Sequence, residues 1–205
     1  MNNLTRMIGP NGEIITILPL TINRDRSTGN FYAYDGNSGL TYSIPELERM
    51  ANAGDPSAQC AMGDFYAAEF DHPEFNNIDY PKAFEWYKKA AAQNHAKALW
   101  NMGNFYALGV GVVEKDFDKS AKLLEEAAKY GFLDAMLHLG QVYMLNDVYD
   151  KAIYWLEKAD QLQHPEAKEH LETARLLSDA LKNNPNLKDA FDKQNKEYWG
   201  KGGAL

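Results

Sequence analysis

One recurring motif restricts the fold of this chain more than any other feature. The segments AQCAMGDFY, ALWNMGNFY and AMLHLGQVY bring Ala58, Ala98 and Ala135 into register, and with them Gly63, Gly103 and Gly140, then Tyr66, Tyr106 and Tyr143. A second set, PKAFEWYKKAA, DKSAKLLEEAA and DKAIYWLEKAD, superposes Lys82, Lys119 and Lys151, then Ala90, Ala127 and Ala159. Each unit therefore reads as two amphipathic helices. A helix pair of this kind buries its apolar face only by stacking on the next pair, so the pattern predicts a solenoid. With Ala167 as the fourth aligned alanine, the periods are 40, 37 and 32 residues, and the variation sits in the loop between the two helices.

The repeated residue types have physical reasons. Glycine inside a helix costs about 1 kcal/mol relative to alanine, so its return at one place in three units predicts close approach of a neighbouring helix there. Gly54, Asn94 and Gly131 each stand four residues before an aligned alanine and suit the left-handed conformation that ends a helix. Gln163 is the fourth such position; it departs from the rule and suggests that the array is ending. Met50, Trp86, Leu123, Trp155 and the three tyrosines are assigned to the core. A further helix carries Ala167, Leu171, Ala174, Leu176 and Leu177 and stops at Asn183, Asn184 and Pro185. Leu187 to Trp199 can form a last amphipathic helix over the open end.

Ahead of the repeats the periodicity is different. Residues 1 to about 11 read as a flexible start, closed by Gly9, Pro10, Asn11 and Gly12. Glu13 to Ile22 reads as a strand, placed at an edge by Pro19. Phe31 to Tyr34 and Leu40 to Ile44 flank a five-residue connection that suits a β-hairpin. At Ser43 the period changes: Ser43 and Glu46 have capping-box spacing, and a short helix ending near Gly54 follows.

From about Ile44 to Asn183 the chain resembles the SEL-one-like repeat (SLR) family, relatives of the tetratricopeptide repeat. The middle unit carries the resemblance: Ala98, Met102-Gly103, Tyr106, Gly109-Val110-Gly111-Val112, Asp116, Lys119, Leu123 and Ala127-Ala128, ending at Gly131. The first unit replaces the glycine loop with the longer AAEFDHPEFNNID, and the third shortens it. The paired cysteines of some relatives are not matched. The resemblance implies a mostly α fold, an α-α superhelix of about three to four helix-turn-helix repeats whose inner surface binds proteins or peptides. The expected organisation is a β-rich element over 1–43, a solenoid over 44–183, and a capping helix and tail over 184–205.

Charge and composition narrow the partners. A net charge of -8 and a pI near 5.1 argue against nucleic acid or an anionic membrane, which call for a basic surface; a basic protein suits the chain better. No signal-peptide pattern and no membrane-length apolar run occur. Cys60 is the sole cysteine. A cytoplasmic location is expected. Enzyme signals are poor, since Gly109-Val110-Gly111 lacks the rest of a phosphate loop and the five histidines show no metal-ligand spacing. No cofactor or metal is expected.

Two candidate binding sites remain. Positions six before, two before and one after each aligned glycine form a stripe on the first helix. It consists of Ser57, Ala61 and Asp64, then Lys97, Asn101 and Asn104, then Asp134, His138 and Gln141. In related solenoids this face lines the concave groove. The second candidate is the insertion of the first unit, where Glu69, Phe70, Asp71, Glu74 and Phe75 interleave acidic and aromatic residues that could dock a basic partner around an aromatic anchor. Together these features predict a small bacterial immunity or inhibitor protein that neutralises a basic toxin. An adaptor or regulatory scaffold in bacterial signalling or secretion is the alternative, and a hydrolase stands further off.

Overall fold

The structure, a computed structural model, describes residues 5–9, 13–17, 20–25, 27–28, 30–67 and 78–184. Five strands, β1 Thr5–Ile8, β2 Ile14–Ile17, β3 Leu20–Arg24, β4 Phe31–Asp35 and β5 Thr41–Ser43, precede the helices. The helices are α1 Ile44–Asn52, α2 Pro56–Ala67, α3 Tyr80–Ala91, α4 Ala96–Leu108, α5 Phe117–Lys129, α6 Leu133–Leu145, α7 Tyr149–Gln161 and α8 Ala167–Asn183. The pairs α2–α3, α4–α5 and α6–α7 are the three repeat units, and α8, packed on α7, stands where a fourth would begin. The chain is an α-α solenoid with a small β element at its start.

The recurring residues meet one another inside each unit. A Cβ on Gly63 would strike the Tyr87 ring, one on Gly103 would lie 2.8 Å from Leu124 Cγ, and one on Gly140 would lie 2.5 Å from Leu156 Cγ. All three contacts join the first helix of a unit to its second, so the glycines set the distance within the pair. The aligned lysines have a local role. Asp79 and Asp116 cap α3 and α5 by accepting from Lys82 N and Lys119 N, and the same carboxylates pair with Lys82 Nζ and Lys119 Nζ at 2.8 and 3.0 Å. Each ammonium lies over the tyrosine of its unit, Lys82 on Tyr66 at 5.2 Å, Lys119 on Tyr106 at 5.3 Å and Lys151 on Tyr143 at 5.0 Å from the ring centre. Such exposed cation–π contacts contribute about 0.5–1 kcal/mol each.

The β element differs from its sequence reading in two respects. The start expected to be flexible contains β1, and the strand expected over Glu13 to Ile22 is divided between β2 and β3. The cause is pairing outside the local segment. β1 and β2 form an antiparallel pair, with Arg6 opposite Thr16, while β3, β4 and β5 form a separate sheet in that order. The three-stranded sheet covers α1 and α2, burying Ala33, Leu47, Met62 and Phe65. β1 docks elsewhere: Ile8 N–H donates to Gly131 O at 2.8 Å, and Met7 bridges to Phe132. The β element thus reaches from the first unit to the third.

The capping box at Ser43 forms as expected, Glu46 Oε2 accepting from Ser43 N at 2.9 Å. Gln163 is a correction. It adopts the left-handed conformation (φ 58°), as Gly54, Asn94 and Gly131 do, because the geometry of the turn into the next helix outweighs side-chain preference. α8 is the one described element that follows this turn. The expected helix over Leu187 to Trp199, and Pro19, lie outside the described residues.

Candidate interaction site

The predicted stripe residues come together, and they do so across the junctions between units. Asp64 accepts from Lys97 Nζ at 2.6 Å, from Asn101 Nδ2 at 3.2 Å and from the Tyr87 hydroxyl at 2.9 Å. Asn104 meets His138 Nδ1 at 3.0 Å, and Gln141 meets His170 Nε2 at 3.0 Å. In every case the residue one after the helix glycine reaches the residue two before the corresponding position of the next unit. These are rungs of one ladder, with different chemistry at each junction. Asp134, also from the stripe, pairs with His164 at 3.1 Å.

Electrostatics follows from position. Burial alone would lower the Lys97 pKa, but the charges around it, Asp64 foremost, outweigh that and raise it, so the ammonium is fixed in its charged form. Burial, reinforced by Asp64, pushes the Tyr87 hydroxyl well above its usual range. Burial holds His138 below its ordinary value, with Asp134 working against it and His164 and His170 adding to it. Trp100 Nε1–H donates to His138 Nδ1 at 3.0 Å. An indole can only donate, so Nδ1 accepts from Trp100, and Asn104 Oδ1 lies 3.0 Å from the same nitrogen.

Beside the first rung the β element and the repeats enclose a cleft of about 690 Å³. Leu20, Asp35 and Tyr42 line it from the β element, and Ser57, Asp64 and Lys97 from α2 and α4. The turn residues Asn94 and His95 lie on one side and Phe132 on another. Ser57, Ala61, Asp64 and Lys97 of this lining are legible in the sequence, but the cleft is not. Its missing wall is formed by residues remote in sequence, and the signal for it was the β-branched stretch placed ahead of the repeats. Trp100, His164 and His170 were missed as rung partners for the same reason. Glu69, Phe70, Asp71, Glu74 and Phe75 of the loop insertion lie outside the described residues. Cys60, in the cleft wall, is buried, and burial raises its thiol well above the ordinary value. Among the described residues no cluster of histidine, cysteine and carboxylate side chains suits a metal ion, and no helix is long and apolar enough to cross a membrane.

Stacked helix pairs with a continuous polar ladder on their first helices define a helical-repeat interaction protein. The Sel1 repeat description matches residues 56–95, 96–132 and 133–159, and the chain belongs to the Sel1 repeat family. It is 30% identical over 109 residues to an uncharacterised protein of Neisseria meningitidis serogroup B, covering 53% of this chain and 23% of that protein. It is 32% identical over 90 residues to the ERAD-associated E3 ubiquitin-protein ligase component HRD3 of Candida glabrata, covering 44% of this chain and 10% of that one. The chain thus spans a quarter or less of the length of these curated relatives. Among solved structures, the Sel1 repeat protein from Oxalobacter formigenes superposes with a TM-score of 0.52 at 29% identity, over 63% of this chain and 97% of that one. The protein is accordingly a Sel1-repeat protein-interaction module.

Proposed function

We propose that this module neutralises a basic protein toxin by binding a segment of it in the cleft between the β element and the first two units. The observation that carries the reading is the cleft itself. It has apolar walls from Leu20, Tyr42, Met50 and Phe132 and carboxylates at Asp35 and Asp55, in a chain of net charge -8. Among the described residues that line it, the one lysine, Lys97, is already paired with Asp64. A basic segment with apolar side chains complements such a lining, and the acidic field speeds its arrival. The stripe residues Asn101, Asn104, His138, Gln141 and Asp134 extend the contact along the ladder.

Co-expression with the product of the neighbouring gene tests the reading. The expected result is relief of growth arrest together with a one-to-one complex by size-exclusion chromatography with light scattering. A toxic neighbour that neither binds nor is neutralised removes the toxin assignment. A second reading, an adaptor or regulatory scaffold, is favoured by the name of one relative, a ligase component. A complex with a non-toxic neighbour supports that alternative.

A further inference from the structure

The turns that lead into the first helices present a row of equivalent backbone carbonyls. The left-handed residues Gly54, Asn94, Gly131 and Gln163 have φ of 102°, 62°, 81° and 58°. Three of their carbonyls are occupied by donors from this chain. Gly54 O accepts from Gln93 Nε2 at 3.0 Å, Gly131 O from Ile8 N–H at 2.8 Å, and Gln163 O from the Arg6 guanidinium at 3.2 Å. No described residue donates to the fourth, Asn94 O, and Asn94 lines the cleft.

The next residues are equivalent too. His95 (φ -70°, ψ 109°) and Phe132 (φ -73°, ψ 106°) share one extended conformation, and Phe132 is the residue that bridges to Met7 of β1. The backbone geometry that receives a strand at Gly131–Phe132 therefore recurs at Asn94–His95, where none of the described strands lies. β1 also shows what such a turn accepts: an extended segment that offers a backbone N–H to one left-handed carbonyl and an arginine to the next.

We propose that Asn94–His95 is a strand-docking site for an extended, arginine-bearing segment of the partner, whose backbone N–H donates to Asn94 O. This rests on the cleft reading above and names the contact within it. Charge complementarity selects the occupant, because Asp35 and Asp55 line the same cleft and the chain carries a net charge of -8.

The test uses the full chain and a short capped peptide of alternating arginine and valine, with a glutamate–valine peptide as control. Fluorescence anisotropy should detect binding of the basic peptide only. The Asn94 carbonyl ¹³C resonance should move downfield on titration while those of Gly131 and Gln163 stay in place. Ser57→Trp, which fills the cleft from an exposed position, should weaken binding about tenfold, the scale of one lost directed contact. Circular dichroism checks its fold, and an equally bulky change at an exposed position outside the cleft lining, Leu176→Trp, should bind normally. Equal binding of the acidic peptide, or movement at Gly131 in place of Asn94, overturns the proposal. So does an Asn94 shift that tracks dimerisation without peptide, since a second copy would then be the occupant. If Ser57→Trp leaves a verified partner complex intact, the docking site fails while the binding function stands.

Discussion

The turns at Asn94–His95 and Gly131–Phe132 share a backbone conformation and a place in the repeat, yet among the described residues only the second is covered by a strand. At Gly131 a Cβ would lie 2.7 Å from Ile8 O, so glycine is required both by the left-handed backbone and by the strand against it. At Asn94 the side chain is exposed and the turn opens on the cleft. The residue that follows differs accordingly: Phe132 is buried in the main core, whereas the His95 side chain caps α4, accepting from Ala98 N at 3.4 Å. Equivalent positions in a repeat are thus specialised by whatever crosses them, and the N-terminal β element does the crossing.

The largest effect that separates the two turns is expected beneath the open one. Asp64→Ala leaves the Lys97 ammonium, 17% exposed as a side chain, without its carboxylate. Breaking such a pair costs about 3 kcal/mol, to be read from urea denaturation. A loss within the range of an exposed ion pair, about 0.5 kcal/mol, would mean that water replaces the carboxylate and that the floor of the cleft is wet.

At the covered turn, Gly131→Ala should cost about 2 kcal/mol through left-handed strain and collision with Ile8. It should also abolish hydrogen-exchange protection of the Ile8 amide. Asn94→Ala carries the strain alone, about 1 kcal/mol. Equal costs at the two turns would break the comparison. Arg6→Ala removes an exposed hydrogen bond to Gln163 O and should cost about 0.5 kcal/mol, with faster exchange confined to β1 and β2.

The smallest and most gradual effect comes with pH. Burial, and then Lys97, hold His95 below its ordinary 6.5, against the opposite pull of Asp64 and Asp55. The folded state therefore favours the neutral imidazole, and the unfolded chain takes up the proton first as acid is added. The contribution is full above pH 6.5, declines as pH falls below it, and levels once the folded imidazole also protonates. His138, lowered in the same direction, adds to the slope. His95→Asn keeps a capping side chain and should flatten the dependence of the denaturation midpoint; an unchanged slope assigns it to His138. Phe132 contributes none.

Much of this was legible from residue types. Gly63, Gly103 and Gly140 announced close helix contact, and Ser43 with Glu46 announced the start of α1, because both depend on backbone geometry within a few residues or on a repeated neighbour. The stripe Asp64, Lys97, Asn101, Asn104, Asp134, His138 and Gln141 was found as a face but not as a ladder. Helical spacing gives the direction of a side chain and not its partner across a junction. The left-handed backbone at Gln163 was not legible, because the turn between packed helices fixes it against the side chain's own preference.

The sequence by itself determined the helix pairs, their count and their close contacts, since apolar periodicity and small residues act locally and recur. The tertiary structure decided where the β element goes. Thr5–Ile8 is a strand only because Ile14–Ile17 and Gly131 lie beside it, and Arg6 meets a carbonyl 157 residues away. The cleft, its open carbonyl at Asn94 and the partners of each rung exist only once those distant segments pack. A hydrogen bond satisfies whichever donor the fold delivers, and local sequence does not say which one that is.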